Sequence, residues 1–114
     1  MAEDRFNASV SVSVPREGVV VVEFVGEHDL TTNDETRGLL TRLVGEAGLV
    51  VVDLSAATFI DSSFLSCLLA AERRARESGH EFGLLVGGAP NVHAVLEVSG
   101  LSDRFTIFPS RAEI

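Results

Sequence analysis

The hydrophobic pattern of this chain switches repeatedly between the two-residue period of a strand and the longer period of a helix. Val19 to Val25 is nearly continuously apolar and β-branched, which is typical of a strand covered on both faces. Further strands are predicted at Leu49 to Leu54, at Phe82 to Val86 and near Arg104 to Phe108. Because a helical pattern separates each strand from the next, all four are predicted to run parallel.

A further strand precedes these four, and amphipathic helices lie between them. Phe6 to about Val14 alternates apolar with polar residues, and the turn Pro15 to Gly18 predicts a hairpin with the strand that follows. The helices are predicted at Thr31 to Gly48, from Ser62 or Ser63 to Gly79, and around Val92 to Gly100. The resulting order, ββαβαβαβ, is that of an α/β protein.

Charge and composition exclude several classes of function. The chain of 114 residues has 17 acidic and 9 basic residues, a net charge of -8, and such a surface repels nucleic-acid phosphates and anionic lipids. All basic residues are arginine, so a Walker A loop and a lysine Schiff base are excluded. No long uncharged apolar run is present, so we predict no membrane span.

The cysteine and histidine content predicts no metal site of this chain's own. Cys67 is the sole cysteine, the three histidines lie far from it and from one another, and no metal-ligand spacing results. Cys67 lies among leucines and is predicted to be a core residue. Met1 to Arg5 lacks the basic and then apolar run of a secretory signal, so we expect a cytoplasmic protein.

Polar turns follow several predicted strands, and the carboxyl ends of parallel strands meet at one edge of a sheet. The turns are Gly26 to Asp29, Asp61 to Ser63, and Gly87 with Gly88. Ligands of open α/β sheets usually bind at this edge, so we expect the working surface there. The glycine pair lacks the spacing of a dinucleotide loop, and turn flexibility explains it better than phosphate binding.

The Asp61-Ser62-Ser63 turn has two interpretations. Either Asp61 or a serine hydroxyl caps the second helix, or an exposed hydroxyl there accepts a phosphate from a kinase, which the helix dipole tolerates. A further interpretation, in which the chain is an enzyme, makes Ser62 or Ser63 a hydrolase nucleophile with His28 as its base. Since the chain has no G-x-S-x-G elbow, we rank catalysis well below binding.

The acidic residues near these turns also have more than one interpretation. Asp29, together with Glu27, is placed to orient the Ser62 hydroxyl, to contact a partner, or to cap the first helix. Thr32 and Glu35 have the spacing of a capping box at the start of that helix. Asp53, at the end of an apolar strand, is predicted to fix the following loop through backbone N–H groups.

Four segments together resemble the STAS domain family, and more narrowly the bacterial anti-sigma factor antagonists. They are Gly26-Glu27-His28-Asp29-Leu30, Val50-Val51-Val52-Asp53-Leu54, Phe59-Ile60-Asp61-Ser62-Ser63 and Ser99-Gly100-Leu101. The resemblance extends from about Phe6 to Phe108. It implies a single STAS domain over residues 1–114, with a mixed, mostly parallel sheet of about five strands flanked by three to four helices.

The resemblance also implies a mechanism of partner switching. The unphosphorylated antagonist binds an anti-sigma factor serine kinase, which releases a sigma factor, and the kinase phosphorylates Ser62 with ATP and magnesium, with Ser63 as the fallback acceptor. A metal-dependent phosphatase reverses the modification, so the protein itself needs no cofactor and catalyses nothing. The residues implied in partner binding are Glu27, Asp29, Asp61, Ser62, Ser63 and Phe64. The alternative is a STAS subunit of a lipid-transport or stress-signalling complex.

Two features depart from the pattern of the family. Phe64 stands where family members typically have glycine, and its ring either packs inward as core or faces a partner as an anchor. The end of the chain, Pro109 to Ile114, is short where family domains commonly carry a further helix, so we expect the sheet to be less covered there.

Overall fold

A computed structural model describes residues 8–100 and 102–114 of the chain. The strands are β1 (Ser9–Arg16), β2 (Val19–His28), β3 (Leu49–Leu54), β4 (Ala57–Ile60), β5 (Glu81–Val86) and β6 (Thr106–Phe108). The helices are α1 (Asn33–Glu46), α2 (Ser62–Glu77) and α3 (Pro90–Val98). Phe6, where the first strand was predicted to begin, and Leu101 of the Ser-Gly-Leu segment lie outside the described residues.

The strands form one mixed sheet with the order β1-β2-β3-β5-β6, and β4 pairs with β2 beside this path. Strands β2, β3, β5 and β6 run parallel, as the alternation of strand and helix predicts. Strand β1 pairs antiparallel with β2, which confirms the predicted hairpin. The predicted fold class, a mostly parallel α/β sheet with helices packed on it, is therefore confirmed.

Strand β4 is an addition to the predicted order, because we expected a loop between β3 and the second helix. β2 is 10 residues long, but its pairing with β3 ends at Glu23. The last residues of β2 therefore have a free edge, which β4 occupies in parallel, with His28 paired to Ile60. The Gly26 N–H continues the contact by donating to the carbonyl of Ala56 at 3.0 Å.

The helices pack on one face of the sheet and enclose the larger core. Its largest fully buried members include Phe24, Phe64, Leu40, Leu68 and Leu84. A smaller cluster on the opposite face joins Val21, Val51 and Leu85. No helix of the described residues is long and apolar enough to cross a membrane.

The C-terminal segment covers the second face, where we expected less cover. After β6 the chain makes a short 3-10 turn at Arg111–Glu113, and Phe108 and Ile114 pack against the smaller cluster. The Arg16 guanidinium also donates to the carbonyl of Ile114.

Candidate functional site

The candidate site lies where β2 and β4 end side by side. His28 and Ile60 are the last residues of these strands and are paired, so Asp29 and Asp61 begin neighbouring turns. Helix α3 contacts the same edge, because the Asn91 side-chain oxygen accepts the Ile60 N–H at 2.8 Å. The sheet thus brings together two of the predicted polar turns and ties them to α3.

Asp61 is the N-cap of α2, so the carboxylate rather than a serine hydroxyl performs the capping. Its backbone is extended, and its Oδ1 accepts the Phe64 N–H at 2.9 Å and the Ser63 hydroxyl at 2.7 Å. These hydrogen bonds satisfy one of the free N–H groups at the helix start and fix the Ser63 side chain. Ser63 is half-buried.

Ser62 is the first residue of α2 and its side chain is exposed. Its carbonyl accepts the Ser66 hydroxyl at 3.2 Å one turn later, so its backbone is part of the helix. A hydroxyl at this position faces solvent at the positive end of a 16-residue helix. The geometry therefore leaves Ser62 more accessible to another protein than Ser63.

Asp29 fixes the turn before α1, which is a different role from capping that helix. Its Oδ1 accepts the Thr31 hydroxyl at 2.6 Å and the Thr31 N–H at 3.0 Å. These two hydrogen bonds lower the pKa of the Asp29 carboxyl below its usual value. The predicted capping box is wrong, because Thr32 makes no side-chain cap bond and its hydroxyl instead reaches the Asp29 carbonyl at 3.4 Å.

His28 is buried in the core, with 1% of its surface exposed. Its Nε2 donates to the Val25 carbonyl at 2.9 Å, and its ring packs at right angles to Phe24 with 5.1 Å between centroids. Burial lowers its pKa, although the Val25 carbonyl and the Asp29 charge oppose this. No contact between the imidazole and Ser62 or Ser63 is present among the described residues. The geometry therefore does not support the interpretation of the chain as a hydrolase.

Phe64 turns inward, which corrects its assignment to the partner-binding surface. Only 1% of its surface is exposed, and its ring meets Phe24 edge-on with 5.1 Å between centroids. It also lies 5.8 Å from the His28 ring. A ring enclosed in this way offers a partner no surface, so Phe64 supports the site from beneath.

The two remaining acidic residues of the prediction differ in environment. Glu27 is exposed near the end of β2. Asp53 is buried, and its Oδ1 accepts the Ser55 N–H at 2.9 Å and also the Ser55 hydroxyl, which confirms that it fixes the following loop. Its Oδ2 accepts from Arg111 Nε at 2.8 Å, an ion pair the sequence did not reveal.

Cys67 is buried, as predicted for a core residue. Its thiol donates to the Asn33 side-chain oxygen at 2.7 Å, and burial raises its pKa. Within residues 8–100 and 102–114, no group of three or more histidine, cysteine, aspartate or glutamate side chains is placed to hold a metal ion.

The family model for the STAS domain matches residues 12–114. The chain belongs to the STAS domain family. Among curated protein sequences none matches this STAS chain significantly. A solved anti-sigma factor antagonist from Mycobacterium paratuberculosis is 26% identical over 92% of this chain and 88% of its own, with a TM-score of 0.80.

Other solved structures share the fold at lower identity. A putative anti-sigma factor antagonist from Thermotoga maritima is 19% identical over 91% of this chain and 89% of its own, with a TM-score of 0.81. The murine anion transporter Slc26a9 is 17% identical over 94% of this chain and 21% of its own, with a TM-score of 0.70. The STAS fold therefore occurs both in small antagonists and within much longer transport proteins.

The ion pair between Asp53 and Arg111 predicts a pH dependence of stability in this STAS domain. Burial alone raises the pKa of Asp53, but the hydrogen bonds from Ser55 and the charge of Arg111 bring it below its usual value. A carboxyl with a lowered folded-state pKa adds stability above its unfolded pKa, and that stability is lost as the pH falls through the folded value. We expect Arg111→Gln to flatten the loss of stability below about pH 4.

Urea denaturation between pH 7 and pH 2 measures this slope, and the side-chain carbon shift of Asp53 reports its titration directly. Arg42→Gln is the matched control, because it removes an arginine that pairs at 4.0 Å with the exposed Glu46. Equal acid slopes in the two variants would show that the Arg111 contact does not set the pKa of Asp53.

The cap of α2 predicts a second effect on stability. Asp61→Ala removes the acceptor of the Phe64 N–H and is expected to lower the free energy of unfolding by about 1 kcal/mol. Asp61→Asn keeps an acceptor oxygen and should lose much less. Thermal and urea denaturation of both variants test this, and equal losses would mean that the charge of Asp61, rather than its capping bond, stabilises the helix.

Proposed function

We propose that this STAS protein is an anti-sigma factor antagonist that acts by partner switching. In its unphosphorylated form it binds an anti-sigma factor serine kinase, and the sigma factor held by that kinase is released. The observation that carries the proposal is the exposed Ser62 hydroxyl at the first residue of α2, directly after the Asp61 cap. The similarity to the mycobacterial antagonist over nearly the whole chain supports the same role.

Ser62 is the proposed phosphorylation site, and Ser63 is the fallback. The kinase transfers the terminal phosphoryl group of ATP to the Ser62 oxygen, so a P–O bond to serine forms, the bond to ADP breaks, and the hydroxyl proton is lost. Ser63 is the weaker candidate, because its hydroxyl already donates to Asp61 at 2.7 Å. A metal-dependent phosphatase hydrolyses the phosphoserine and returns the protein to its binding form.

The surface proposed to bind the kinase consists of exposed and half-buried residues around Ser62. They are Glu27, Asp29, Asp61, Ser62 and Ser63. A phosphate on Ser62 adds a charge of about −1.5 to −2 beside the Asp61 carboxylate and close to the turn of Asp29. The start of α2 tolerates that charge within the folded protein, whereas a partner that fits the unphosphorylated surface meets a new charged group that it does not accommodate.

The magnitude needed for switching is small. A loss of about 1.4 kcal/mol weakens binding tenfold, and one unfavourable buried charge at an interface suffices for that. The fold therefore does not have to change. ATP, magnesium and the phosphatase metal belong to the partners, and in this proposal the antagonist is a cytoplasmic binding protein with no cofactor and no catalytic activity.

Capture of partners from the source lysate tests this proposal. Wild type, Ser62→Ala and Ser63→Ala are immobilised, ATP and magnesium are added, and partner release and intact mass are followed together. We expect the wild type and Ser63→Ala to gain one phosphate and release a kinase, while Ser62→Ala keeps it bound. An unchanged affinity of the kinase for phosphorylated protein would contradict the switch, and phosphorylation of Ser62→Ala but not of Ser63→Ala would move the site to Ser63.

A STAS subunit of a lipid-transport or stress-signalling complex is the second candidate. The murine anion transporter shares this fold over 21% of its own chain, which supports this second candidate function. The same capture experiment separates the two candidates. Recovery of membrane-transport subunits, in a complex that is stable to ATP, would replace the antagonist by this alternative.

A further inference from the structure

Strand β1 is an edge strand of the described sheet and has few of the features that prevent an edge from pairing. Within residues 8–100 and 102–114 no strand lies on its outer side, and all of its residues are exposed. Edge strands usually carry a charge, a proline or a bulge, because a bare edge pairs with other strands. Ser9 to Val14 has no charge and no proline, and its register with β2 shifts only after Ser13. The outer backbone groups of this run are therefore available to a further strand.

One face of β1 is an exposed row of valines. Val10, Val12 and Val14 are 43%, 47% and 62% exposed. Val10 pairs with Phe24 and Val12 with Val22, so these two valines lie on the helix side of the sheet. Helix α1 leaves them uncovered, because a cavity of about 290 Å³ lies between β1 and α1. Contiguous exposed apolar residues beside a free strand edge indicate an interaction surface.

The sequence of this edge reads the same in both directions. The run Ser9-Val10-Ser11-Val12-Ser13 is a palindrome centred on Ser11. If two copies meet antiparallel about a two-fold axis at Ser11, Val10 of one copy lies opposite Val12 of the other, and serine lies opposite serine. The valines of both copies then share one face of the joined sheet and the serines share the other. A two-fold interface requires this self-complementarity, which favours a second copy of the chain over an unrelated strand.

The distribution of charge also favours contact between copies along this edge. The chain has a net charge of -8, so two copies repel each other over most of their surfaces. Residues 8–15 contain no charged side chain, and the palindromic pairing therefore places no like charges opposite each other. The edge of β1 is thus a surface at which two copies meet with little repulsion.

We propose that the protein forms a two-fold dimer in which the β1 strands of two copies pair antiparallel about Ser11 and join their sheets into one. The residues proposed to bind the kinase lie on other elements, so the dimer does not depend on the antagonist role or on the phosphorylation of Ser62. One strand from each copy makes a small interface, and we expect a dimer that dissociates on dilution. Salt screens the repulsion between the copies and should strengthen it.

Sedimentation velocity of the full chain, over a wide range of concentration, tests the dimer. We expect the average mass to rise from that of a monomer towards that of a dimer, and to rise further when NaCl is added. Val12→Lys should weaken dimerisation about tenfold, because the two-fold axis removes both contacts between Val10 and Val12 at once. Circular dichroism checks that this variant is folded.

Val98→Lys is the matched control, because Val98 is 87% exposed on α3 and the substitution changes the net charge equally. It should leave the dimer as strong as in the wild type. A monomer at every concentration would overturn the proposal. Equal weakening by the two lysine variants would overturn it as well, because the effect would then not belong to the β1 edge.

Disulfide cross-linking measures the register and does not depend on the lysine variants. In Ser11→Cys the thiols of two copies lie opposite each other at the axis, and oxidation with diamide should link the chains. In Ser13→Cys the thiols are on the same face but about 13 Å apart along the strands, which is too far for a disulfide. Cys67 is buried and is the same in both variants. Equal linking of the two variants, or linking of neither, would overturn pairing about Ser11.

Discussion

Phe64→Ala is expected to lower the free energy of unfolding by about 3–5 kcal/mol, the largest single-residue effect we expect in this STAS domain. The ring is 1% exposed and fills the space between Phe24, His28 and the sheet. Its removal costs both the buried apolar area and the cavity left behind, because the neighbouring rings are held by strand β2. Urea denaturation followed by circular dichroism at pH 7 measures the loss.

Phe59→Ala is the matched control for this experiment. It makes the same change at a ring of β4 that is 39% exposed, and we expect it to cost less than about 1 kcal/mol. The affinity of the folded Phe64→Ala protein for the proposed kinase partner separates support from direct contact. If affinity collapses while stability changes by less than about 1 kcal/mol, the ring is a partner anchor and the inward packing does not hold in solution.

The fold was largely predictable because its signals are local. Each parallel strand is a short apolar run, each helix has a buried stripe, and alternation of the two leaves few topologies open. The Val19 to Val25 run and the Leu49 to Leu54 run both mark strands that the sheet places side by side. The antiparallel hairpin of β1 follows from its period of two residues and from the turn predicted at Pro15 to Gly18, although β1 continues to Arg16 and the turn itself is only Glu17 and Gly18.

Strand β4 was not predicted, because no local pattern of the sequence indicates a strand there. Only 4 residues long, it has Ala57 and Ile60 buried and the two residues between them exposed, which is not the alternation of a strand. What makes it a strand is the free edge at the end of β2, where Gly26 to His28 extend past β3. The length of β2 relative to β3 is thus the feature that decides the placement of the Asp61 turn.

The site was predicted by position but not by environment. The turns that begin at Asp29 and Asp61 lie together at the sheet edge, as predicted. The role of Asp29, however, depends on its own hydrogen bonds to Thr31, and Thr32 does not have the predicted capping role. The ion pair of Asp53 joins residues 58 positions apart, and no local pattern reports it. The burial of His28 did have a signal, since Val22, Phe24 and His28 continue the inward period of β2.

Gly87→Ala is expected to lower the free energy of unfolding by about 1–3 kcal/mol, because the added methyl group meets backbone rather than a flexible side chain. A Cβ on Gly87 would lie 2.6 Å from the Ser55 carbonyl oxygen and 2.7 Å from its Cα. Ser55 cannot easily give way, since its N–H and hydroxyl are held by Asp53. The glycine therefore serves close packing between the ends of β3 and β5, in agreement with a structural role.

Gly88→Ala is the matched control, because a Cβ on Gly88 would have no heavy atom within 4 Å, and it should change stability by less than about 0.5 kcal/mol. The effect of Gly87→Ala should also reach the candidate site. The carbonyl of Gly87 accepts from His93 of α3, and Asn91 of the same helix holds Ile60, the residue before the Asp61 cap. Denaturation and the amide shifts of residues 60–64 measure both effects. Equal stability of the two alanine variants would contradict the close packing, and shifts confined to β3 and β5 would show that α3 does not transmit it.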